Sequence, residues 1–337
     1  MPTSRFKSSL FSNKDKKYEV FSGRNKFYPL GIGGNEIIES NYFRYHFFTT
    51  TGSTSFIPDS DLTNVDVCAI GGGGGGGFDI AGGGGAGDIT LFQRINISNQ
   101  TYTVVVGDKG VGSNTSDVKG DNGQNSIFKT SSEELLVALG GGGAGSSPNQ
   151  LSGNTGGSGG GSTPSSTSPN VSGGSSSGFN VNAGGGTDRA SAPGLYILVA
   201  AGGGGGATSA GSAGTVGISP DFANGGNAGQ GFLLNDIDEI FSSLSIFSGM
   251  TRLGSGGGGA GSVLVGAGTS SSGSGGDGGG VGANDNNSTT TAATHASSFG
   301  SGGGGGGWSA RANSAGKDGY QGLVIIRYPI KIYEYVI

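Results

Sequence analysis

The chain is poor in groups that do chemistry. Its 337 residues hold two histidines, one cysteine and one tryptophan. His46 stands in the aromatic stretch Tyr42-Phe43-Arg44-Tyr45-His46-Phe47-Phe48, and His295 in a polar loop. Neither has a partner nearby in sequence for a metal site or a nucleophile–base triad. Gly-x-Gly-x-x-Gly occurs so often that it carries no dinucleotide signal, because that fingerprint needs a helix directly after it. Lys109 and Lys317 follow glycines but precede Gly110 and Asp318, so no phosphate-binding Gly-Lys-Ser/Thr is formed. The acidic group Asp236, Asp238 and Glu239 reads as a solvated helix start rather than a cation site. Cys68 lies in an apolar strand pattern and reads as a small buried residue. No catalytic, cofactor-binding or metal-binding residue is expected, and the chain is not expected to be an enzyme. Trp308 follows glycines 302–307 and either caps them or offers an aromatic platform for binding.

What remains is backbone. Glycine accounts for 78 of the 337 residues, against a usual share of ~7%. Charged residues make up 12%, about half the common level. Disorder normally goes with high charge and no apolar runs, whereas here the apolar runs are compact. Val65, Val67 and Ala69 alternate with Asp66 and Cys68, a period-two strand, and run straight into glycines 71–77. The unit recurs: apolar stretches 104–106, 135–139 and 195–199 each precede a glycine-rich segment, and a strand over 323–328 closes the chain. Two further runs, 256–259 and 302–307, lack so clear a strand before them. The spacing is irregular, so the chain is not a solenoid; it predicts an antiparallel sandwich.

Glycine runs that follow strands are poor candidates for linkers. An extended three-residue-per-turn helix makes no internal hydrogen bonds and points its N–H and C=O groups outward. Without Cβ atoms several such helices can approach and bond one another. Seven residues would span roughly 22 Å. The ordering entropy of glycine is offset only if most backbone groups are paired, so several runs must be held together by a scaffold of strands. The expected fold is therefore all-β: a jelly-roll-like antiparallel sandwich with an interleaved polyglycine II helix bundle. One short helix is expected near 236–247, from apolar residues at steps of three and four (Ile237, Ile240, Phe241, Leu244, Phe247), with Asn235 and Asp238 in a capping arrangement and Gly249 as its stop. Segments 146–182 and 267–297 are polar loops or exposed tips.

Residues 1–40 carry seven basic and four acidic residues, whereas the whole chain has a net charge of −5. They read as a basic arm or docking segment ahead of a domain over 41–330 and a tail over 331–337. An acidic body is not expected to bind nucleic acid. No apolar run approaches the ~18–20 residues that span a bilayer, and no apolar stretch follows the basic start, so neither a membrane span nor an export leader is expected.

The segments Val65-Asp66-Val67-Cys68-Ala69-Ile70 with its glycines, Tyr102-Thr103-Val104-Val105-Val106-Gly107, Leu195-Tyr196-Ile197-Leu198-Val199 with its glycines, and Gly322-Leu323-Val324-Ile325-Ile326-Arg327-Tyr328 together resemble the glycine-rich domains of phage tail proteins. Phe48-Thr49-Thr50-Thr51-Gly52 through Pro58 resembles that domain's opening. The same order resembles the TNF-like and glycine-rich region of the anaplastic lymphoma kinase receptor family, where jelly-roll strands alternate with polyglycine helices. The resemblance covers about residues 42–330. It implies a structural virion protein, a tail-fibre or surface adhesin that binds a host-cell receptor through loops at the ends of the glycine bundle. The alternative is a capsid-decoration or cementing protein that contacts other virion chains. The location implied is the virion surface. The partners implied are other virion proteins through residues 1–40, a host surface glycan or outer-membrane protein, and further copies in a homotrimer. Phage fibres bind sugars through aromatics, so Trp308 joins four polar tip residues, Asn149, Asn170, Asp285 and Asn287, as receptor-binding candidates.

Overall fold

The computed structural model describes residues 30–40, 42–165, 170–192, 196–218, 221–265, 269–285, 290–308 and 314–330. Residues 1–29 of the expected basic arm and the tail 331–337 lie outside the described residues.

Two five-stranded antiparallel sheets form the expected sandwich. One runs in the order Gly31–Ile32, Gly52–Pro58, Tyr102–Val106, Ser126–Lys129, Glu134–Ala138. The other runs Glu36–Ser40, Phe43–Phe48, Leu323–Pro329, Leu62–Ile70, Ile89–Ile97. Alternation along the strands decides what faces in. Val65, Val67 and Ala69 meet Val324, Ile326, Phe56, Val104 and Phe128 in the core between the sheets. Cys68 and Ile70 point the other way, yet they are buried too. Their face is covered by Leu234, Ile237, Phe241 and Phe247. A sheet buried on both faces explains why its strands read as nearly continuous apolar runs.

The covering segment coils more loosely than its apolar spacing predicts. Leu234–Ile237 is a single α-turn, followed by two 3-10 turns at Phe241–Ser243 and Ser245–Phe247. The α-turn stops at Asp238, whose backbone is extended at φ −158° and ψ 133°. Its carboxylate bonds Tyr45 and Arg327 of the sheet beneath. Asp238 is therefore a buried ion-pair partner and not part of a solvated helix start. The residue before the turn is Leu233, with no side-chain cap, so Asn235 does not cap it. Gly249, at φ +77°, ends the segment as expected. The sandwich also begins earlier than position 41. Gly31–Ile32 and Glu36–Ser40 are edge strands within the segment whose charge marked it as an arm.

The glycine segments leave the sandwich as an ordered bundle, and segment 71–77 shows its rule. Gly71, Gly74 and Gly77 donate N–H to the carbonyls of Asp88, Gly85 and Gly82; Gly72 and Gly75 donate to Gln124 and Asp121; Gly73 and Gly76 donate to Tyr320 and Lys317. The carbonyls of Gly72 and Gly75 accept from Gly141 and Ala144, those of Gly73 and Gly76 from Gly110 and Ser113, and those of Gly74 and Gly77 from Gly303 and Gly306. Each neighbour is met once every three residues, as a helix of three residues per turn requires. Antiparallel neighbours take the N–H groups and parallel neighbours feed the carbonyls. Segments 82–88, 201–207 and 254–260 bond their surroundings with the same period. A Cβ on Gly75 would strike the carbonyl of Val111, and one on Gly84 that of Gly74. Close approach of backbones is thus the reason for the composition.

The direction of the runs fixes the layout. Segment 71–77 starts where Leu62–Ile70 leaves the sandwich. The hydrogen bonds make 140–145, 158–163 and 302–307 parallel to it, so these four end together at the far end. A third five-stranded sheet stands there, in the order Asp188–Ala192, Tyr196–Ala200, Gly261–Val265, Asn284–Asp285, Thr290–Thr291. Ala201 N–H donates to Ala260, and Ala260 N–H to Ala81, which seats this cap sheet against the turn between segments 71–77 and 82–88. The bundle is therefore held by strands at both ends. Among the described residues no helix is long and apolar enough to cross a membrane.

Candidate functional site

Each of these four glycine segments, 71–77 and three of those parallel to it, ends in a turn. Segment 71–77 leads into Phe78, Asp79 and Ile80, segment 140–145 into Ser147, Pro148 and Asn149, segment 158–163 into Pro164 and Ser165, and segment 302–307 into Trp308. With Arg189, Val199 and Leu264 of the cap sheet, these turns surround an open pocket of about 350 Å³.

The first wall is strained. Asp79 and Ile80 sit at φ 65° and 47°, a region that β-branched residues avoid at ~1–3 kcal/mol per residue. Two bonds hold them there: Asp79 N–H to Ser314 O and Ile80 N–H to Gly307 O, both 3.0 Å. The Ile80 side chain is buried with Val199 and Ala260, and Trp308 packs against this cluster. Burying it stabilises by about 2 kcal/mol, enough to offset much of the strain.

The second wall is pinned by Asp117. Its carboxylate accepts Asn149 N–H at 2.9 Å, Asn149 Nδ2–H at 3.0 Å and Gln150 N–H at 3.0 Å, and its own N–H donates to Ser147 O at 2.8 Å. The Asn149 side-chain bond, helped by the two backbone bonds, holds the Asp117 carboxyl below the usual carboxylate range. Asn149 keeps Oδ1 and its second amide hydrogen for the pocket. Trp308 is fixed through its backbone, which donates N–H to Asp285 Oδ2 at 2.6 Å. Arg189 is half-buried and makes no ion pair or side-chain hydrogen bond among the described residues. Burial alone lowers its pKa from the ordinary arginine value, and it stays a cation at neutral pH.

Of the five residues expected to bind a receptor, Asn149 and Trp308 line the pocket and Asp285 lies beneath Trp308. Asn170 is exposed and does not line it. Asn287 lies outside the described residues. Sequence reasoning missed Arg189, Asp117 and the Asp79–Ile80 turn. One signal was present: Arg189 is the one basic residue between Lys129 and Arg252.

The pocket offers an indole ring, an amide, serine hydroxyls, a guanidinium and the Asp79 carboxylate, with no histidine or cysteine in its walls. Such a set orients a bound polar molecule. Among the described residues, no group of three or more His, Cys, Asp or Glu could hold a metal ion. None of the curated proteins matches the chain. The order of strand and glycine run that builds the bundle is shared more widely: residues 49–329 match the family described as the glycine-rich domain, and the chain belongs to that family.

Proposed function

We propose that the chain is a non-enzymatic virion protein, a tail-fibre or surface adhesin that binds a host-cell receptor with the far end of its glycine bundle. The observation that carries this reading is the convergence of four parallel glycine segments on one pocket. A bundle without side chains is a rigid post, and its recognition groups are spent at the tip. The polarity fits attachment. Gly31–Ile32 pairs with Ile57 and Pro58, at the end of the sandwich away from the glycine segments, so docking to other virion chains on that side leaves the tip outward. The receptor class is a host surface glycan or outer-membrane protein.

The test is binding of the purified chain to intact host cells, with Trp308→Ala as the variant. Wild type is expected to bind saturably and the variant to lose most of that binding while keeping its unfolding midpoint. A chain that ignores cells but binds capsid or tail proteins would replace this reading with a decoration or cementing role.

A further inference from the structure

Arg189 is the exception among the described arginines. Arg44 pairs with Glu39, Arg94 and Arg327 with Asp66, and Arg252 with Asp277. Among the described residues the Arg189 guanidinium makes no ion pair, although it is half-buried in the pocket wall; the neighbouring Asp188 carboxylate is taken up by the backbone N–H groups of Arg189 and Val216. The acid in that wall, Asp79, has a partner of its own, and Asp285 is committed to the Trp308 backbone. A guanidinium that has given up part of its water without an acceptor is complementary to a planar or tetrahedral anion, which it binds through two parallel N–H groups.

The rest of the pocket narrows the class. Trp308 supplies a flat apolar surface, while Asn149 and Ser147 supply hydrogen-bonding groups. A sugar ring has the matching character, an apolar C–H face with a rim of hydroxyls. The volume, about 350 Å³, lies near the lower end of the ~300–1,000 Å³ range of small-ligand sites, which suits a short saccharide. We infer that the pocket takes a saccharide carrying a carboxylate or phosphate, with the anionic group on Arg189 and the sugar ring against Trp308. This rests on the recognition reading above and specifies its ligand.

The experiment titrates the full chain with three probes: a glucuronic acid oligosaccharide, glucose 6-phosphate and a neutral glucose oligosaccharide of matched length. Arg189→Gln, Arg189→Lys and Trp308→Ala are compared with wild type in these titrations and in host-cell binding, each checked first for an unchanged unfolding midpoint. Wild type is expected to prefer one acidic probe over the neutral one by about tenfold or more, less so at high salt. Arg189→Gln should erase that preference and reduce host-cell binding, and Arg189→Lys should keep part of it. The two acidic probes tell carboxylate from phosphate. Arg189→Gln binding host cells like wild type, or equal binding of acidic and neutral probes, overturns the inference. In that case loss of cell binding by Trp308→Ala leaves the recognition reading standing, and its retention removes both.

Discussion

Asp238 and Arg327, 89 positions apart, form an ion pair where the coiled covering segment meets the outer face of the sandwich. Arg327 also donates through Nε to Asp66 Oδ2 at 3.2 Å, and its guanidinium carbon lies 3.8 Å from the centroid of the Phe92 ring. Tyr45 O–H donates to Asp238 Oδ2 at 3.0 Å. Burial, then Asp238, pushes the Tyr45 hydroxyl pKa upward. Arg327→Met would leave the buried Asp238 carboxylate without its cation and Asp66 with Arg94 alone. Removing one partner of a buried pair typically destabilises by about 3–5 kcal/mol. Urea unfolding should show a loss of that size, and a loss below about 1 kcal/mol would show that the pair is dispensable.

Glycine is demanded for different reasons at different positions, and alanine substitutions separate them. Gly75→Ala places a methyl group against the Val111 carbonyl inside the bundle. It should destabilise by more than about 3 kcal/mol, as forced overpacking does when backbone must move. Gly249 has open space around it and φ +77°, so Gly249→Ala should lose only about 1–2 kcal/mol, from the left-handed backbone. Paired denaturation curves check the contrast.

A relay ties the first strand to the sandwich. Gly31 N–H donates to Tyr328 Oη at 2.8 Å, Tyr328 O–H to His46 Nε2 at 3.0 Å, and His46 Nδ1–H to Gly33 O at 2.7 Å. Burial lowers the His46 pKa, outweighing the Gly33 bond. The folded chain therefore keeps the ring neutral while the unfolded chain accepts a proton below pH ~6.5. The stability this group contributes is present above that value and is lost as pH falls through the lowered folded-state pKa. Unfolding free energy should decline from pH 7 to pH 5, and His46→Asn should flatten that decline. Faster amide exchange at Gly31 at pH 5 would locate the loosening.

Asp117 acts on the pocket through Asn149 without lining it. Asp117→Asn preserves shape and tolerates the φ of 62°, but it turns an amide toward the Asn149 amide. Because Asp117 lies at the surface and is only partly buried, the unfolding midpoint should barely move. Binding to host cells should weaken by about fivefold, the equivalent of one hydrogen bond. A midpoint that falls together with binding would make Asp117 a folding residue instead.

The fold was legible wherever an apolar stretch met glycine. Leu62–Ile70, Tyr102–Val106 and Leu323–Pro329 announce themselves by β-branched content, and the glycine bundle follows from the number of runs. Glu36–Ser40 was hidden because a short edge strand with charges at Glu36 and Glu39 looks like part of a polar arm. The spacing of Ile237, Ile240, Phe241, Leu244 and Phe247 suits a helix and a chain of tight turns equally, and tertiary bonding at Asp238 selects the turns. In the site, Asn149 stood out as a polar residue of an exposed tip and Trp308 because it follows a glycine run. Arg189 did not, because its place depends on how the cap sheet returns across the bundle, which no local pattern encodes.

The period of the bundle gives its sequence a phase. Adding one glycine within segment 71–77 turns every later residue by ~120°, so each N–H that served one neighbour then faces another and all partnerships fail together. Adding three restores every direction and carries the tip outward by ~9 Å. Length can drift freely in the polar turns of such a domain, but within the runs only steps of three keep the lattice. The reach of each pocket wall is thus quantised, by a frame written in the backbone itself.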